Sequence, residues 1–367
     1  MKLRNVVLGA VMALAVGATA WAAHTQPQKD TIGTLRNVDK KGYLYEIQYK
    51  ADYKFDQVWD AMQVSGAGLQ DSVRKVILPD SSIKLGAPLP SKQLDLGISA
   101  MTPENHPLLA HSYHMTNDER AVLVVHTEAP GKFASVGIAD MGYIGAKKND
   151  FLSSVEGQEA VLYAPFYVID GVNEKGFSIA TLTVPGDNTV QDNGNKKLFS
   201  ALIPRYMLDN ARSVQDALEK FQELDVVMPA GSSYHWLLND AYGDSAVVEY
   251  VRNTFVSQPK AYVDKHQVVA NYWLNPMVAK DPAERGMLRA KLLRKFFKKN
   301  KYPTEQQLMD QLEQARATKE PELTKKGSDL TLATNWSVVY DLEKRIATIC
   351  FKEDYNNRYG FRIKQLR

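Results

Sequence analysis

The chain has 367 residues, 45 Lys and Arg against 42 Asp and Glu for a net charge of +3, 44% hydrophobic residues and one cysteine. That length and composition suffice for a sizeable core in one large or two ordinary domains. They exclude an intrachain disulfide and cysteine-rich zinc sites, and the small net charge gives no nucleic-acid footprint.

The first 22 residues read as a secretory signal. Lys2 and Arg4 precede an apolar, uncharged run at 6–20, and Ala20 and Ala22 offer small residues to a signal peptidase. The run is shorter than the ~20 residues of a bilayer span, so an exported protein, periplasmic or secreted after cleavage, is expected. Residues 42–49 alternate apolar and polar side chains as a strand does, and 56–78 read as helical. The stretch 79–94, with Pro79, Gly86, Pro88 and Pro90, reads as a loop or linker. Further strands are expected at 121–127, 133–139, 160–169, 177–184, 234–239, 245–251, 267–272, 336–342 and 345–351, most of them rich in Val, Ile, Tyr or Thr. Ser213 with Asp216, and Thr304 with Gln307, have the spacing of helix capping boxes. Leu288, Leu292 and Phe296 mark another helical stripe. Runs of strands broken by helix pairs indicate an α+β fold.

Few residues advertise chemistry. Cys350, in the alternating run 346–351, reads as a buried structural thiol, because a reactive one needs an accessible, electropositive setting. There is no G-x-S-x-G elbow, P-loop, G-x-G-x-x-G or H-E-x-x-H, so no cofactor is expected. His106, His111 and His114 cluster around Ser112 and Tyr113, but their spacing fits no metal motif. A polar turn between two strands is the plainer reading, and no metal is expected. The basic stretch 291–301 could meet an acidic membrane surface; a solvated helix face covering the core is the simpler expectation.

Several segments, in order, are similar to the choloylglycine hydrolase family and especially its linear amide C–N hydrolase branch. They are 42–49 followed by Asp56, 126–140 (HTEAPGKFASVGIAD) with Gly142-Tyr143-Ile144-Gly145, and 170–186 (DGVNEKGFSIATLTVPG). They continue with 234–251, Val269-Ala270-Asn271-Tyr272 and 334–341 (TNWSVVYD). The resemblance implies a four-layer αββα sandwich of the Ntn-hydrolase type occupying 97–367, with 23–96 as a leader or pro-segment. It also implies a cysteine nucleophile freed at a new N-terminus, whose own α-amino group is the base. Asn271 would be an oxyanion-side donor. The implied partner is a small amide or acyl ligand, with no nucleic acid, and a homo-oligomer is compatible with the family.

The departures from the family pattern concern the nucleophile. The family's G-C-[ST]-x-F aligns with Gly97-Ile98-Ser99-Ala100-Met101, and its G-R-N-x-D with His111-Ser112-Tyr113-His114-Met115. In this register Ile98 replaces the cysteine, Ser112 the arginine and Met115 the aspartate. The expectation is an exported family member that binds or acts on N-acyl amide-type ligands with catalysis weak or lost. Two alternatives keep an active hydrolase: Ser99 as N-terminal nucleophile, or Ser112 paired with a histidine in a pocket of His111, Tyr113 and His114. A third is a non-catalytic interaction protein of the cell envelope.

Overall fold

The computed structural model describes residues 24–39, 41–65, 68–81, 93–116, 119–149, 154–186, 189–229, 233–261, 263–276, 278, 286–316 and 332–363. The expected signal and residues 82–92 of the expected linker lie outside them. In chain order the elements begin with α1 (Gln26–Ile32), β1 (Arg36–Asn37), β2 (Leu44–Tyr49), α2 (Phe55–Ser65) and α3 (Leu69–Ile77). Then come β3 (Leu94–Met101), β4 (Pro107–Thr116), β5 (Val122–Thr127), β6 (Ser135–Asp140) and α4 (Val155–Ala160). β7 (Val168–Asn173), β8 (Ser178–Val184), β9 (Lys196–Phe199), α5 (Ile203–Asn210), α6 (Val214–Gln222) and β10 (Leu224–Val227) follow. The chain continues through β11 (Ser233–Asn239), β12 (Ser245–Val251), β13 (Thr254–Pro259), β14 (His266–Ala270), α7 (Met287–Phe297) and α8 (Glu305–Gln314). It closes with β15 (Leu332–Asp341), β16 (Ile346–Phe351) and β17 (Asp354–Arg362).

Three expectations change. The helical stretch 56–78 is two helices, α2 and α3. The strand expected at 160–169 is instead the end of α4 and a 3₁₀ segment, Val161–Tyr167, that contains Pro165; the strand starts only at Val168. Proline has no N–H to give a ladder, which suits the 3₁₀ turn better than a sheet interior. The polar turn expected around the histidines is the ten-residue strand β4.

One compact unit is formed by the described residues of 1–89, 119–130 and 140–165. Its β2 pairs in parallel with β5 and antiparallel with β1. β5 is buried at all six positions and β2 at five, as parallel strands covered on both faces are. Residues 24–81, expected as part of a leader, are therefore built together with later chain, and β3 runs straight through the expected 96/97 boundary.

The second unit holds the described residues of 90–118, 131–139 and 166–367. Within it one sheet runs β6-β7-β8-β11-β12-β13 and another β14-β3-β4-β15-β16-β17, all neighbours antiparallel. α5 packs on β7 and β8, α6 on β12, and α7 and α8 on the second sheet. The two sheets face each other with helices on their outer sides, which is the expected αββα sandwich. Contact is close: a Cβ added to Gly97 of β3 would lie 2.9 Å from side-chain carbons of Leu237 and Val269, and 3.4 Å from Leu182. On the helix side, Leu96, Ile98 and Ala100 join Leu293, Phe297, Leu308 and Leu312 in one apolar cluster. Thr304 and Gln307 do form the capping box of α8. α7 forms where its stripe suggested, but it buries Arg289, Ala290, Leu293 and Phe297 while Leu288 and Leu292 face solvent.

Candidate functional site

Side chains alternate across a strand, so β3 sends Leu96, Ile98 and Ala100 to the helices and Asp95, Gly97 and Ser99 toward the facing sheet. Ile98 is fully buried among apolar side chains. It is therefore on the opposite face from any cleft between the sheets. The β3 residue that meets Asn271 is Asp95, whose backbone N–H donates to Asn271 Oδ1 at 2.7 Å.

Asp95 is itself completely buried, and its carboxylate is surrounded by donors. Oδ2 accepts from the Thr183 N–H at 2.9 Å, lies 3.0 Å from the Thr183 hydroxyl and 3.4 Å from Asn271 Nδ2. Gln93 Nε2 reaches Oδ1 at 3.2 Å. Asn271 is held in turn: its Nδ2 donates to Thr183 O at 2.7 Å, and Arg289 from α7 donates to its Oδ1 at 3.0 Å. β7 pairs with β8 only over 178–180, so the N–H of Thr183, further along β8, points at Asp95 instead of a neighbouring strand. Burial pushes the Asp95 pKa up; the charge of His111 and the bonds from Thr183 and Gln93 work against that rise.

The histidines separate. His111 shares the inter-sheet face, and its Nδ1 lies 2.7 Å from Asp170 Oδ2. Asp170 also accepts from Trp336 Nε1 at 2.9 Å and from the Tyr340 hydroxyl. Tyr113 stacks on Trp336 with centroids 4.0 Å apart. Burial and the adjacent Asp170 charge hold the Tyr340 phenol well above its ordinary pKa, so it remains a donor. His114 points to the other face, where Nδ1 lies 2.9 Å from Thr334 Oγ1. Burial first, then the charges of Arg289 and His111, drive its pKa well below the usual imidazole value.

Ser112 bonds Ser337 at 2.9 Å, and Ser337 bonds Tyr355 at 2.9 Å, on the helix side of β4. The expected pairing of Ser112 with a histidine is thus not the arrangement found; strand alternation sends Ser112 away from His111, and His114 is committed to Thr334. Met115 is fully buried. Ser99 is buried in the middle of β3, paired with Leu109 and Gln267 on either side, so its nitrogen is a strand amide. Cys350 is buried in β16 within the helix-side apolar cluster, and burial raises its pKa to about 11. Among the described residues no group of three or more His, Cys, Asp or Glu is arranged to hold a metal ion. Sequence reasoning identified Asn271 but missed Asp95, Thr183 and Arg289. Its signal was available: Asp95 is the only acid in a strand otherwise made of apolar and small residues.

Residues 141–272 match the family model of the linear amide C–N hydrolases, choloylglycine hydrolase family. The matched stretch contains Thr183 and Asn271 and excludes Asp95 and all of β4. Among solved structures, a variant of conjugated bile acid hydrolase from Clostridium perfringens is similar at a TM-score of 0.52 and 13% identity, covering 73% of this chain and 92% of that one. Penicillin V acylase from Agrobacterium tumefaciens is similar at a TM-score of 0.50 and 16% identity, covering 74% of this chain and 87% of that one. No curated protein matches the chain. The segment 141–272 is thus similar to the choloylglycine hydrolase family of linear amide C–N hydrolases, and the chain shares the sandwich fold of these two solved structures.

Proposed function

We propose that this is an exported, non-hydrolysing member of the family, whose carbonyl-binding cradle is filled by its own Asp95 carboxylate. The observation that supports it is the contact set of Asp95. Donors that would polarise a substrate carbonyl, the Thr183 N–H and hydroxyl and the Asn271 amide, are already directed at an internal carboxyl group. A ligand carbonyl entering there must displace the carboxyl group, which would leave a buried polar group without partners at a cost of about 1–3 kcal/mol. The only thiol in the chain is Cys350, inert by its burial. Without a nucleophile the covalent route is gone, and losing one typically lowers rates by many powers of ten. Export rests on the reading of residues 1–22.

Purified mature protein incubated with N-acyl amino acids and conjugated bile salts should release no amine, and its intact mass should place the N-terminus near Ala23 rather than at Ser99. Turnover at rates of ordinary enzymes, surviving Asp95→Ala, would refute the reading. An N-terminus at Ser99 would revive the active-hydrolase alternative. The same ligands should fail to raise the unfolding temperature, since the cradle is occupied; a saturable stabilisation lost in Asn271→Ala would show that the cradle still takes an amide.

A further inference from the structure

We infer that the outer face of α7 docks on an anionic phospholipid surface. The starting point is a misplaced apolar stripe. Leu288 and Leu292, one helical turn apart, are 53% and 40% exposed, while the helix buries a different face. At 100° per residue, Lys291, Lys295 and Lys299 fall on the same outward arc as the two leucines, with Phe296 half-buried at its margin. Lys298 and Lys301 extend the positive field, and exposed Tyr302 lies at its end. From Gly286 to Thr304 there is no acidic residue. Among the described residues none of these five lysines pairs with a carboxylate, although lysines elsewhere do, such as Lys148 with Glu119 and Lys344 with Asp341.

This combination fits one kind of occupant. Two leucines set among lysines match the shallow insertion of an interfacial helix, whose apolar side chains reach the acyl boundary while cations meet lipid phosphates. A second copy of the same face would bring lysines against lysines, which is repulsive. A stable protein partner needs about 800 Å² per side, more than one short helix face offers. Charge complementarity therefore selects a lipid surface over a folded partner. The helix is anchored from beneath: Leu293 and Phe297 sit in the core, and Arg294 donates to the Tyr272 hydroxyl at 2.5 Å. The outward side chains can thus be changed without touching the packed face.

The test is flotation of the purified mature protein with vesicles of equimolar phosphatidylcholine and phosphatidylglycerol, beside vesicles of phosphatidylcholine alone. Binding is expected on the anionic vesicles only, falling as salt is raised. The triple change Lys291→Gln, Lys295→Gln and Lys299→Gln should weaken partition about a hundredfold. Leu288→Ser with Leu292→Ser should weaken it about tenfold. Both variants should unfold at the temperature of the parent, because the altered groups are exposed. No partition into anionic vesicles, equal partition into both kinds, or partition unchanged by the lysine triple would overturn the proposal. So would undiminished binding by the leucine pair, which would reduce the face to a non-specific polyanion contact.

Discussion

Asp95 on β3 and His114 on the neighbouring β4 hold opposite protonation preferences, and each leaves a signature in stability against pH. Burial raises the Asp95 pKa above its ordinary 3.8, so the unfolded chain ionises there before the folded one does. Stability from this group is full below pH 3.8 and is lost as pH rises through the folded value. His114 behaves in the reverse sense. Its folded pKa lies well below 6.5, so its contribution is full above pH 6.5 and is lost as pH falls toward the folded value. The two limbs oppose each other in the mildly acidic range, and only single variants separate them. In denaturant titrations, Asp95→Asn should gain on the parent as pH rises above 3.8, whereas His114→Gln should flatten the loss of stability below pH 6.5. Asp95→Ala removes the acceptor of a buried N–H and should cost about 1–3 kcal/mol. If Asp95→Ala were neutral at every pH, the cradle would not be closed by this carboxylate.

At the level of elements, the two faces of β3 do different jobs. The helix-side face of β3 is ordinary core, with Leu96, Ile98 and Ala100 against α7 and α8. The inter-sheet face must be thin at Gly97, where added carbon meets Leu237 and Val269 at 2.9 Å. Gly97→Val should cost about 1–3 kcal/mol by overpacking, read as a drop in the denaturation midpoint with an unchanged m-value. Ile98→Val, in the helix-side core, should cost about 0.5–1.5 kcal/mol. Were Ile98 a site residue, that substitution would alter ligand binding instead of stability. The one-residue step from 97 to 98 shows why a register read from sequence is fragile in a strand: a shift of one or three positions moves a side chain to the other face. Ile98 lies in the helix-side core, whereas Asp95, three positions earlier, faces the other sheet.

At the scale of the whole molecule, Cys350 reports on global unfolding. It is buried in the helix-side cluster with its pKa raised to about 11, so a thiol reagent should leave the native protein unmodified and label it at the rate of unfolding. Labelling that is fast in native conditions would mean that β16 opens locally. The sequence by itself determined the α+β class, most central strands and the capping box of α8, because period-two patterning and short-range capping are local and written in adjacent residues. Composition also leaves Cys350 as the one thiol of the chain. The strand character of 107–116 was hidden by its histidines and serines, which are buried only because Asp170, Thr334 and Ser337 arrive from distant segments to bond them. The stripe of α7 was legible, but periodicity gives a helix a stripe and not the direction it faces, and packing turned Leu288 and Leu292 outward. Which side of each element met a partner, and hence that Asp95 meets Thr183 and Asn271, was decided only by packing, where contacts between residues 88 and 176 positions apart fix what no local pattern encodes.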